Sequence, residues 1–156
     1  MGMENHFSII LDNFKDYLKK AHTGEEAMLY VSNLIHDSLS DYDWVGFYLV
    51  SKTEERMLEL GPYVGEHTDH VKIPFGKGIC GQTAESQETF LIDDVSKEEN
   101  YIACSIHVKS EIVVPMFKNG TMIGQIDIDS SKINAFNDGD EIFLKEICSL
   151  ISPSIH

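Results

Sequence analysis

The feature that most constrains the fold is a pair of apolar runs, Ile112-Val-Val-Pro-Met-Phe117 and Met122-Ile-Gly-Gln-Ile-Asp-Ile128, joined by Lys118-Asn119-Gly120-Thr121. An Asn-Gly dipeptide accepts the positive φ angles of a tight hairpin turn, so the two runs are expected to pair antiparallel. Pairing then orders the side chains. In Gln125-Ile-Asp-Ile-Asp129 the strand period puts Ile126 and Ile128 on one face and Gln125, Asp127 and Asp129 on the other. Glu111, at the start of the first run, falls across from about Asp129. Carboxylates in one neighbourhood repel one another, raise at least one pKa and hold a proton near neutrality. The same pattern also reads as an exposed acidic strand face.

The flanking segments supply helices. Phe7, Ile9, Ile10, Leu11, Phe14, Tyr17 and Leu18 recur at helical spacing, as do Met28, Leu29, Val31, Leu34, Ile35 and Leu39. Thr23 offers a hydroxyl cap to the second helix, with Glu25 and Glu26 in its first turn. A β-branched and aromatic run, Trp44 to Val50, predicts a strand, and Met57 to Leu60 a second beyond the charged turn Ser51 to Arg56. Between them and the hairpin, Gly61-Pro62, Pro74, Gly76, Gly78 and Gly81 predict loops around short strands near Val71–Ile73 and Thr89–Ile92. Asp93 to Asn100 is polar and expected at the surface. Asn137-Asp138-Gly139-Asp140-Glu141 opens a last helix through about Ile151. The expected class is α+β, one domain over 1–156, with a central antiparallel sheet and the N- and C-terminal helices packed on one face.

Twelve basic against 26 acidic residues give a formal charge of −14, which repels nucleic-acid phosphates and anionic lipid. No apolar run approaches the roughly 20 residues that span a bilayer, and Met1 to His6 lacks a signal-peptide pattern. No nucleic-acid or membrane partner and a cytoplasmic location are expected. There the three cysteines are core filler, metal ligands or reactive thiols rather than a disulfide framework. Cys148, on the apolar face of the last helix, reads as a buried small hydrophobe. His67, His70, His107 and Cys80 show no recognised ligand spacing, so no metal and no cofactor are expected. Gly76-Lys-Gly-Ile-Cys-Gly81 fits neither phosphate-loop template, and its glycines are read as permitting a tight turn.

Several blocks together resemble one family. Trp44-Val-Gly-Phe-Tyr48, Ile73-Pro-Phe-Gly-Lys-Gly-Ile-Cys-Gly81, Ile102-Ala-Cys104, Ser110-Glu-Ile-Val-Val-Pro115 and Ile123-Gly-Gln-Ile-Asp-Ile-Asp-Ser130 resemble the signature blocks of free methionine-(R)-sulfoxide reductases, single GAF-domain enzymes, in order and spacing from about 44 to 152. The resemblance implies a GAF-like fold and reduction of free methionine-R-sulfoxide, an oxidative-stress function. It implies Cys104 as nucleophile and Cys80 as resolving thiol, recycled by a thioredoxin-type reductant. Trp44, Tyr48, Ile102 and Ala103 would line the substrate pocket, with Glu111, Asp127 and Asp129 as its polar, proton-supplying wall. A homodimer is compatible with it.

The residue types suit that chemistry. A thiolate attacks the sulfoxide sulfur, the departing oxygen is protonated, and the attacking cysteine becomes a sulfenic acid that a second thiol condenses into a disulfide. A carboxylic acid of raised pKa is a suitable proton donor, and the same cluster can bind the substrate's ammonium. The chain departs from the family pattern in places. His70 stands where many members carry a further resolving cysteine, Asn100-Tyr101 replaces a Gly-His pair, and Ser105 replaces an aspartate. These departures leave open a GAF-type module that binds a small ligand or senses oxidation without turnover.

Overall fold

The computed structural model describes residues 2–101 and 107–156. Helices α1 (Gly2–Leu18) and α2 (Gly24–Ser38) open the chain, followed by strands β1 (Trp44–Val50), β2 (Met57–Val64) and β3 (Lys72–Pro74). A helix α3 (Gly78–Ser86), strand β4 (Phe90–Ile92), the hairpin β5 (Ser110–Lys118) and β6 (Thr121–Ser130), and helix α4 (Asp138–Ile151) complete it. The strands form one six-stranded sheet in the order β3-β2-β1-β6-β5-β4, with every neighbouring pair antiparallel.

Local chemistry sets the element ends. The Thr23 hydroxyl caps α2 as expected and, with Glu26 bonding back, forms a reciprocal capping box; Asn137 with Asp140 does the same at α4. At the hairpin tip Asn119 and Gly120 take φ of 54° and 80°, the left-handed values a primed turn requires.

The two sheet faces differ in what covers them. Ile126 and Ile128 face a large core with Phe7, Ile10 and Phe14 of α1, Val31 and Ile35 of α2, and Phe143 and Ile147 of α4. The terminal helices therefore share one face, as the periodicity predicts. Their apolar stripes are narrower than the sequence suggests, because Ile9, Leu29 and Ile142 lie on the solvent side. A second core on the opposite face joins Trp44, Tyr48, Ile79, Cys80, Ala84 and Val113.

The structure corrects the reading of the middle of the chain. Strand β2 runs on through Gly61-Pro62 to Val64, and its pairing with β1 shifts register between Gly46 and Tyr48, the irregularity that admits a proline into a sheet. Residues 78–86, expected as loop, form α3. Glycines and a weak apolar pattern disfavour this helix locally, and tertiary burial of Ile79, Cys80 and Ala84 overrides that preference. Gly81 is required by close approach: a Cβ there would sit 2.6 Å from the Pro74 carbonyl oxygen.

Candidate active site

Alternation along β6 builds the site. With Ile126 and Ile128 fully buried among the helices, Gln125, Asp127 and Asp129 must take the other face. A one-residue slip would thrust the aspartates into the helical core, so the register is strongly held. On one side β5 sets Glu111 opposite Asp129 and Val113 opposite Asp127. On the other, β1 sets Trp44 opposite Asp129 and Tyr48 opposite Gln125. Helix α3 covers this face, where the Cys80 thiol donates to Asp127 Oδ2 at 3.3 Å and Gln125 Nε2 donates to the Cys80 carbonyl at 3.1 Å.

The acidic face is buried rather than solvated: Glu111, Asp127 and Asp129 are only 4%, 1% and 2% exposed. Burial, then the charge of Asp127, pushes the Asp129 carboxyl well above the usual range. Burial also raises Asp127, against the opposing pull of hydrogen bonds from Glu111 and Cys80. Glu111 is hydrogen-bonded to both aspartates. Ionised carboxylates carry no donor, so such contacts require protons within the cluster. The Cys80 thiol is pushed well up by burial first, and then by the charges of Asp127, Glu111 and Asp129. Gln125 Oε1 accepts no hydrogen bond among the described residues, which leaves acceptor capacity on this face.

Two cavities flank this rank of carboxyls. One of about 20 Å³ is lined by Tyr48, His70, Lys77, Cys80, Glu111 and Asp127. The other, about 80 Å³, is lined by Trp44, Glu66, His107, Val108, Asp129 and Ser130. Trp44 is fixed by donation to the Glu66 carbonyl at 3.0 Å and Tyr48 by donation to the His70 carbonyl at 2.9 Å.

Of the residues singled out in the sequence, Cys80, Tyr48, Glu111 and Asp127 meet at the smaller cavity, while Trp44 and Asp129 line the larger. Ile102, Ala103 and Cys104 lie outside the described residues. Cys80 stands in the first turn of a helix, not in the turn expected for its glycine-rich block. Cys148 is buried, with its thiol 3.8 Å from the Val114 carbonyl, and burial pushes its pKa up. Cys80, Glu111 and Asp127 bring their potential ligand atoms within 4.8 Å of one another, the one such group among the described residues. The four-residue set of His67, His70, His107 and Cys80 is not brought together, and His67 instead contacts Asp69. Lys77 and the Gln125 bond to Cys80 escaped the sequence reading. Alternation placed Gln125 on this face, but nothing in the sequence pointed to α3 lying over it.

A curled antiparallel sheet with terminal helices on one face and a buried thiol–carboxylate site on the other defines a class. The GAF domain family model matches residues 21–156, and the chain belongs to that family. Within it the chain belongs with the free methionine-R-sulfoxide reductases. It is 43% identical over 115 residues to the free methionine-R-sulfoxide reductase of Saccharomyces cerevisiae, spanning 73% of this chain and 63% of that relative's length. To the Escherichia coli enzyme of the same name it is 38% identical over 116 residues, or 74% of this chain and 68% of that one. The X-ray structure of the Neisseria meningitidis free methionine-R-sulfoxide reductase in complex with its substrate matches with a TM-score of 0.89 at 30% identity, over 95% of this chain and 87% of that one. Among the described residues no helix is long and apolar enough to cross a membrane.

Proposed function

We propose that this chain reduces free methionine-R-sulfoxide to methionine. The observation that carries the reading is the buried set of Cys80, Glu111, Asp127 and Asp129, a thiol donating to Asp127 with the Asp127 and Asp129 carboxyls raised by burial, in a chain of this family. In the proposed reaction the Cys104 thiolate attacks the sulfoxide sulfur. The sulfoxide is reduced to the thioether while the cysteine sulfur is oxidised to sulfenic acid, which keeps the oxygen. The carboxyl cluster protonates that oxygen as its bond to the substrate sulfur breaks, and its remaining negative charge pairs with the substrate's ammonium. Trp44 and Tyr48 line the pocket for the methyl group, and Ile102 and Ala103 contribute to substrate binding. Cys80 then condenses with the sulfenic acid, water leaves, and a thioredoxin-type dithiol restores both thiols.

The test is turnover of the purified protein on separated methionine-sulfoxide epimers with dithiothreitol. The free R epimer is consumed, the S epimer and peptide-bound sulfoxide are poor substrates, and Cys104→Ser abolishes the reaction while remaining folded. Equal rates on free and peptide-bound sulfoxide, or full activity in folded Cys104→Ser, refute the assignment.

A further inference from the structure

Asn100 precedes Cys104 by a few residues, yet its side chain is built into the start of the helix that carries Cys80. Its Oδ1 accepts from the Gly78 amide at 3.1 Å, one of the backbone donors that a helix N-terminus leaves without an intrahelical partner. Its Nδ2 donates to the Gly76 carbonyl at 2.7 Å, so the two ends of one amide span the turn into α3. From the helix side, Gln82 Nε2 donates to the Gly78 carbonyl at 2.9 Å and to the Asn100 carbonyl at 3.4 Å. Lys77, the residue at the cap position, makes no side-chain cap bond. The cap is supplied instead by a residue remote in sequence. Cys80 is thus held from the sheet by Gln125 and from the loop by Asn100.

We infer that Asn100 is a positioning residue for Cys80: it caps α3 across the chain and keeps the thiol seated against Asp127. The inference rests on the reading of Cys80 as the resolving thiol. In that step the Cys80 sulfur attacks the sulfenic sulfur of Cys104, an S–S bond forms, the S–O bond breaks, and the hydroxyl leaves as water with the thiol proton. No oxidant is needed beyond the sulfoxide that made the sulfenic acid.

The first measurement needs no turnover. In a Cys104→Ser/Cys148→Ser background Cys80 is the sole thiol, and its reaction with 5,5′-dithiobis(2-nitrobenzoate) reports how firmly it is seated. Asn100→Ala should raise that rate about tenfold, the effect of removing roughly one net hydrogen bond from a local opening equilibrium. Asn100→Asp keeps the acceptor for Gly78 but turns an oxygen toward the Gly76 carbonyl, and should fall between. An unchanged rate in Asn100→Ala overturns the inference. The second is a single turnover with all thiols present. Asn100→Ala should slow disulfide formation relative to methionine release, so that dimedone traps a sulfenic acid in excess of the unsubstituted protein. Equal slowing of both steps marks general loosening and also overturns it. If the unsubstituted protein releases methionine without forming a Cys80 disulfide, the resolving reading fails, while thiol reactivity still judges the clamp.

Discussion

Replacing Asp127 with asparagine separates the chemistry of the carboxyl cluster from its shape. The side chain is 1% exposed, accepts from the Cys80 thiol at 3.3 Å and is hydrogen-bonded to Glu111. An amide of the same size keeps the packing and offers a donor to its carboxyl neighbours, so the fold should survive. What disappears is an ionisable group. Loss of a general acid costs on the order of 10²–10⁴ in rate, or roughly 2.7–5.4 kcal/mol at 1.36 kcal/mol per decade. A purely structural role for this buried side chain would show in stability and leave kcat/KM of the folded protein near native, so the two readings differ by orders of magnitude in kcat/KM. A second readout runs the other way. Burial and then the charge of Asp127 hold the Cys80 thiol high, so Asp127→Asn should lower its pKa and speed its alkylation at pH 8. Near-native turnover on the free R epimer in a folded Asp127→Asn protein refutes the proton-donor argument. Slower Cys80 alkylation refutes the electrostatic one.

Cys80→Ser should slow thioredoxin-supported turnover more than dithiothreitol-supported turnover, because a small dithiol attacks a sulfenic acid directly while a protein reductant needs an accessible disulfide; a peptide map joining Cys104 to Cys148 contradicts this. Asp129→Asn should raise the melting temperature at pH 7 and leave it little changed near pH 4. A carboxyl whose folded pKa is raised favours the fold below its ordinary value of about 3.9 and costs stability progressively as pH rises toward the folded value, and the amide escapes that cost. Thermal melts from pH 4 to 8 check the sign. Tyr42→Phe removes the 2.5 Å bond that the buried phenol donates to Asp140 at the start of α4. Urea unfolding should show a loss of about 1.5–3 kcal/mol with an unchanged slope.

Much of this molecule follows from the chain read alone. Alternation in Gln125 to Asp129 and the Asn119-Gly120 tip were enough to pair Glu111 with Asp129 and to separate carboxyls from isoleucines, because strand period and turn geometry act over a few residues. The caps at Thr23 and Asn137 were legible for the same reason. The family blocks implied Cys80 with Glu111, Asp127 and Asp129 as site residues, yet not the helix that carries the thiol. Whether the acidic face met water or protein was decided only by α3, a helix that local propensity disfavours and that exists because Ile79, Cys80 and Ala84 bury against the far side of the sheet. That burial raises the Asp127 and Asp129 carboxyls above their usual range and brings a thiol to Asp127. Likewise nothing in the polar run ending at Asn100 announces that its amide caps a helix more than twenty residues earlier in the chain. Desolvation and remote capping are properties of what packs against a residue, and packing is settled by the whole fold rather than by neighbours in sequence.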